Sequence, residues 1–254
     1  FGQISTLLQP IYDKEENARV TFTLASNMAF QAEANLYLGE MKSARELNAE
    51  SLRILDMLIA KDPQNANWLQ VLFKAKYTNL SMIPHSDWSR SNDADLDRLH
   101  DSFGKLSAQD PSNSRNKTYL AAVLREKALR ALHAGNFAGA MEPAKSAHAL
   151  MLDIVKKSDP SPQLLVSLAK TAELLGTAMT ANQQAEAAEL IWSDTVELLD
   201  RQSISVFDFY PVRYLLAIDL NQTEKAKEIE KQLLQAGFKD PRMQPAHTLS
   251  GTFR

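Results

Sequence analysis

Apolar side chains recur at Leu120, Val123, Leu124, Ala128, Ala131 and Leu132. Steps of three and four residues put such positions on one face of a helix. Arg125, Glu126 and Lys127 are expected to face away from part of that stripe. Ala187, Leu190, Ile191, Val196, Leu198 and Leu199 predict a second apolar face over 184–201. No stretch shows the sustained alternation of a half-buried strand. Extended along the chain, the pattern predicts helices at about 15–38, 42–61, 65–82, 93–108, 113–134, 137–157, 162–181, 184–201, 207–220 and 223–236. These form five antiparallel pairs, about 15–61, 65–108, 113–157, 162–201 and 207–236. Residues 1–12 read as the remnant of an earlier element, and 237–254, with Pro241 and Pro245, as an irregular tail. A pair buries one side by itself, so the pairs are expected to stack in a single domain.

The punctuation supports this division. Asp-Pro occurs at Asp62-Pro63, Asp110-Pro111, Asp159-Pro160 and Asp240-Pro241, the first three roughly 48 residues apart, a solenoid-like period. Proline is tolerated in the first turn of a helix and a preceding Asp can cap its N–H groups. Each Asp-Pro is therefore expected to close one helix and open the next, and Ser161-Pro162 repeats the idea. Between these marks a small or polar turn residue is followed five positions later by alanine. The instances are Gly39 to Ala44, Gly135 to Ala140, Asn182 to Ala187 and Asn221 to Ala226. Gly and Asn accept the left-handed conformation that ends a helix. Phe137 is expected to plug the bend after Gly135, and Ala140 to let the returning helix approach its partner.

Composition agrees with an all-α chain. Only 8 Gly and 10 Pro occur in 254 residues, and residues with good helix propensity dominate. Hydrophobic residues make up 44%, enough for a sizeable core. A net charge of −3 and a pI of about 6.0 suggest neither a nucleic-acid groove nor a membrane-binding surface. The absence of cysteine excludes disulfides and thiolate chemistry, and fits cytoplasm or periplasm equally. No apolar run is read as reaching the ~20 residues of a membrane helix. Starting at Phe1, the chain reads as a fragment or processed form.

The stretch ALRALHAGNFAGAMEPAKSA resembles a tetratricopeptide repeat, with Gly135, Phe137 and Ala140 in the family's turn pattern. Ala128 matches its small first-helix residue and Ala147 its later second-helix alanine. LYLGEMKSARELNAESL is a looser match. The family repeat is about 34 residues, so the resemblance implies an α–α superhelix with lengthened helices. AKDPQNANW and AQDPSNSRN are also similar to helical repeat regions of bacterial multidomain signalling proteins. The resemblance implies ligand binding on the face formed by the first helices. The family's peptide-carboxylate clamp is not matched, its places in pair four being read as Ala169, Ala172 and Gly176.

Candidate chemistry is thin. His85, Asp87, Asp93, Asp95, Asp97, His100 and Asp101 cluster in and after a polar loop. A calcium loop is excluded because Arg98 and Gly104 replace its Gly and Glu. Capping by Asn92, Asp93 and Asp95 is the simpler reading, and a metal site from Asp97, His100 and Asp101 the alternative. Arg125 and His133 are candidate groove residues, and Trp88, in the polar loop, a candidate aromatic anchor. Trp68, Trp192, Tyr77 and Tyr119 are expected to pack at helix seams, and Phe207–Pro211 to seal the last pair. No hydrolase, zinc-protease, phosphate-loop or dinucleotide motif occurs. The sequence therefore predicts a non-enzymatic scaffold with no cofactor or metal. Its expected partner is a protein or peptide segment, or a small ligand, in a signalling or transcription-regulatory protein. A structural or oligomerisation segment is the alternative.

Overall fold

A computed structural model describes residues 17–83, 87–157, 160–201 and 209–235. The described residues form ten α-helices and no strand, so the chain is all-α. The helices are α1 Ala18–Tyr37, α2 Met41–Lys61, α3 Ala66–Ser81, α4 Arg90–Gln109 and α5 Ser114–His133. They continue as α6 Phe137–Lys157, α7 Pro162–Ala181, α8 Ala185–Asp200, α9 Phe209–Asp219 and α10 Thr223–Gln235. The proposed remnant at 1–12, His85, Asp159, Asp240-Pro241, residues 207–208 and the tail 237–254 lie outside the described residues.

Several helix ends have a visible local cause. Four turns share one hydrogen-bond pattern. The N–H of Gly39 reaches the Leu36 carbonyl, and that of Glu40 reaches Asn35. The same two bonds recur at Gly135 and Asn136, at Gln183 and Gln184, and at Asn221 and Gln222. This is the Schellman closure, and its pivot is left-handed: φ is 78° at Gly39, 71° at Gly135, 62° at Gln183 and 56° at Asn221. The third pivot is thus Gln183, not Asn182. Asn182 ends α7 as its C-cap, and its side-chain amide donates to the carbonyls of Phe137 and Ala178. The alanine five residues on shifts with it. Ala188 is fully buried, like Ala44 and Ala140, whereas Ala187 is exposed. The inner face of α8 is accordingly Ala188, Trp192, Thr195 and Leu199, and Leu190, expected inside, is 66% exposed. A left-handed non-glycine residue carries a conformational cost. Gln183→Gly should raise stability by about 0.5–1 kcal/mol in denaturant unfolding, whereas Gly135→Gln should lower it by a similar amount.

The Asp-Pro turns work differently from the capping first expected. Asp62 is the C-cap of α2, and its carboxylate accepts from Gln64 N–H and the Asn65 amide. The cap of α3 is Asn65, whose Oδ1 accepts from Trp68 N–H. Asp110 likewise accepts from Ser112, while Asn113 caps α5 through Asn116 N–H. In D-P-x-N the Asp builds the turn and the Asn three residues later caps the helix. At α4, Asn92 accepts from Ser89 N–H and hydroxyl, Asp93 lies in the first turn, and Asp95 pairs with Arg98.

Contacts divide the described residues into two units, 17–102 and 103–235, with the boundary inside α4. In the first unit α1, α2 and α3 pack mutually around Leu24, Ala25, Ile54, Leu55 and Leu72. Two buried side chains on α2 tie its neighbours. Asn48 donates to the Ala75 carbonyl of α3 at 3.1 Å, and Ser51 to the Ala25 carbonyl of α1 at 2.8 Å. In the second unit α5 packs on α6 and α7, and α7 also packs on α6, α8 and α9. Separate apolar clusters fill successive seams: Ala128, Ala144 and Leu175 in one, Val166, Trp192 and Leu216 in the next, Tyr214, Ala226 and Ile229 in the last. By length and composition alone α7 is apolar enough to cross a membrane, contrary to the reading that no run comes close. Helices on several sides bury it as a core element instead.

Candidate functional site

Stacking brings like positions of successive first helices together. Arg125 on α5 and Glu173 on α7 each stand ten residues before the left-handed residue that ends their pair's first helix, Gly135 and Gln183. Both are half-buried, and the Arg125 charge acts on the Glu173 carboxylate. Thr177, one turn further along α7, donates to Glu173 Oε1 at 3.3 Å. Lys170, Glu173 and Thr177 follow steps of three and four, so they share a stripe of α7. Burial pushes the Glu173 carboxyl up to about 7, and the pull of Arg125 and the Thr177 hydroxyl only partly offsets it. The residue as a whole keeps some exposure, yet desolvation of its charged end outweighs both partners.

Behind this stripe the packing is close. The Trp192 indole N–H donates to the Glu173 backbone carbonyl at 3.2 Å. Its ring occupies the space beside Gly176, where a Cβ would lie 2.1 Å from Nε1. Ala169, Ala172 and Gly176 are all buried, so they are core positions and not outward-facing ones. The outward set one residue later is Lys170, Glu173 and Thr177. The displacement has the same origin as the turn: Gln183, not Asn182, is the pivot. Glu126 is a further correction. Expected to face away from the apolar stripe, it is 6% exposed among the inward residues of α5.

The other candidates lie apart. His133 is exposed in the last turn of α5, about 12 Å along the axis from Arg125 and about 80° around it. Trp88 belongs to the first unit, where it is half-buried and donates its indole N–H to the Ile83 carbonyl at 3.1 Å. That bond commits the polar edge of the ring. Trp68 and Trp192 pack in cores, and Tyr119 lies against Phe103 with centroids 5.2 Å apart. Among the described residues no three His, Asp or Glu side chains converge to hold a metal. His100 lies 3.4 Å from Asp101, a surface contact between sequence neighbours.

Two polar features escaped sequence reasoning. In the first unit the buried Lys74 ammonium lies 2.9 Å from Glu33 and 3.4 Å from the centre of the Phe30 ring. On α8 to α10, Asp200 bridges Arg213 at 3.0 Å and Lys225 at 3.7 Å beside a cavity of about 10 Å³. A space of that size holds a single water at most. Protein-family models, curated proteins and solved structures were all compared with the chain, and none matches.

Proposed function

We propose that the chain is a non-catalytic recognition scaffold of tetratricopeptide type, an α–α superhelix whose first helices carry the binding face. The observation that carries this reading is the side-by-side packing of α5 with α7 and of α7 with α9. First helices aligned in this way leave one continuous face, and on α5 and α7 that face bears Arg125, Lys170, Glu173 and Thr177. Charged and hydroxyl groups held on stacked helices recognise a peptide or small ligand without the cost of ordering a loop. His133 extends the same helix toward the turn. The D-P-x-N turns and long helices support placement in a bacterial signalling or regulatory protein, as its interaction or sensory segment. The alternative, an oligomerisation role, would draw on exposed apolar side chains. The large apolar side chains exposed among the described residues, Phe30, Leu38, Met57 and Leu190, stand on α1, the turn after it, α2 and α8.

Selection of peptides from a displayed random library against the purified chain tests the proposal. Enriched peptides are expected to lose tenfold or more in affinity, about 1.4 kcal/mol, for Arg125→Glu or Glu173→Lys, and to be indifferent to Leu190→Glu on α8. A selection that enriches nothing, or peptides sensitive only to Leu190→Glu, would refute it.

A further inference from the structure

With no cysteine, the sulfur of this chain lies in its 8 methionines. Among the described residues Met28, Met82 and Met151 are buried, and Met41, Met141 and Met179 pack half-buried against apolar clusters. Met57, in the last turns of α2, is 42% exposed. Arg53, one turn earlier, donates from Nη1 to Met57 Sδ at 3.4 Å. The guanidinium is itself fixed by Glu50, which accepts from Nε at 2.8 Å and from Nη2 at 2.6 Å. Two parallel bonds set the guanidinium plane as one bond does not. They also hold the Glu50 carboxyl below its ordinary value, so the pair stands at neutral pH. Steps of three and four keep Glu50, Arg53 and Met57 on one stripe of α2. A strong, charged donor is therefore aimed at a thioether, which is a weak acceptor. Oxidation removes that mismatch, because a sulfoxide is polar and its oxygen carries partial negative charge.

We propose that Met57 is a reversible oxidation site whose sulfoxide oxygen is taken up by the Arg53 guanidinium that Glu50 holds in place. A peroxide supplies the oxygen. The sulfur lone pair attacks one peroxide oxygen, the O–O bond breaks as the S–O bond forms, and a proton transfer lets water leave. Sulfur gives up two electrons and the peroxide gains them. Thiol-dependent sulfoxide reductases run the change back, with the oxygen released as water. The result is an apolar side chain on the surface of α2 turned into a dipolar one. In a core such a change disrupts packing. At residue 57 the new oxygen meets solvent and a waiting donor, so α2 stays folded. The inference goes beyond the recognition reading: it concerns α2 of the first unit and no ligand, so the two stand or fall separately.

The test treats the full chain with hydrogen peroxide and follows each methionine by peptide mass spectrometry. Met243, outside the described residues, is replaced by leucine throughout. Met57 is expected to convert roughly tenfold faster than Met28, Met82 and Met151, as exposure governs the reaction. Protein oxidised at Met57 is then unfolded in urea, with Arg53 present and in Arg53→Leu. Oxidation should raise the midpoint where Arg53 is present, and leave it unchanged or lower it in Arg53→Leu. Met57→Gln puts a carbonyl oxygen at the same reach without any oxidant, and the same dependence on Arg53 is expected of it. Conversion of a buried methionine as early as Met57, or equal shifts with and without Arg53, overturns the proposal.

Discussion

Gly176→Ala is expected to destabilise the second unit by about 2–4 kcal/mol, although the same change inside an unobstructed helix stabilises by roughly 1 kcal/mol. The reversal comes from one contact. A Cβ at position 176 would lie 2.1 Å from Trp192 Nε1 and 2.2 Å from Cε2, distances no packed atoms sustain. Trp192 is 5% exposed, packed in the cluster that includes Leu165, Val166 and Leu216, and held by its bond to the Glu173 carbonyl. Moving the ring costs that hydrogen bond, about 1 kcal/mol, together with the packing of a large aromatic. Urea unfolding followed by circular dichroism reads the change in every variant. Gly104 in α4 is the internal control, since nothing lies within 4 Å of a Cβ there. Gly104→Ala should therefore be neutral or stabilising. Trp192→Leu alone should be costly, and Gly176→Ala added to it should cost far less than in the wild-type protein. If Gly176→Ala and Gly104→Ala behave alike, the close approach of α7 and α8 is not what holds the ring.

The same contact shows what a sequence can and cannot disclose. Seven residues before the left-handed pivot the first helices carry Ala32, Ala128 and Gly176, and nine residues after it the second helices carry Asn48, Ala144 and Trp192. Where the second helix gains an indole, the first gives up its last side-chain atom. That trade is written in the sequence, but only in the register set by Gln183. Asn is the better left-handed residue by propensity, so local chemistry pointed to Asn182. A tertiary bond to Phe137, 45 residues away, engages the Asn182 side chain instead. One residue of slip then turned Ala187 and Leu190 inward and Ala169, Ala172 and Gly176 outward, all of which the structure reverses. Helix spans survived the slip because they rest on many positions. Phe137–Lys157 and Pro162–Ala181 coincide with the apolar periodicity, and the D-P-x-N turns fix their neighbours. The Arg125–Glu173 relation had a signal too: opposite charges 48 residues apart, one period of the Asp-Pro marks. Glu33 and Lys74, 41 apart, fit no such spacing, and nothing in the sequence distinguishes Lys74 from exposed lysines.

That lysine yields the second large effect. Glu33→Ala is expected to cost about 2–4 kcal/mol, whereas Lys74→Met should cost less than about 1 kcal/mol or stabilise. The asymmetry follows from exposure. The Lys74 side chain is 7% exposed and that of Glu33 36%. Removing the carboxylate leaves a buried ammonium in the α1–α3 seam, 3.4 Å from the centre of the Phe30 ring, without its ion-pair partner Glu33. An aromatic face offsets roughly 1–2 kcal/mol of such a deficit and not the whole of it. Removing the lysine leaves a carboxylate already in reach of water, and methionine keeps the length of the stem within the buried space. The double variant Glu33→Ala/Lys74→Met should therefore recover most of what Glu33→Ala loses. Chemical denaturation of the four proteins in the cycle gives the coupling directly. A Lys74→Met loss as large as that of Glu33→Ala would mean the pair more than offsets its desolvation. The lysine would then be a net source of stability for the first unit. A neutral Lys74→Met would mean that the charge serves the seam in another way. A buried ammonium on α3 held by a carboxylate on α1 penalises a sliding of the two helices that parts them, as apolar contacts alone do not.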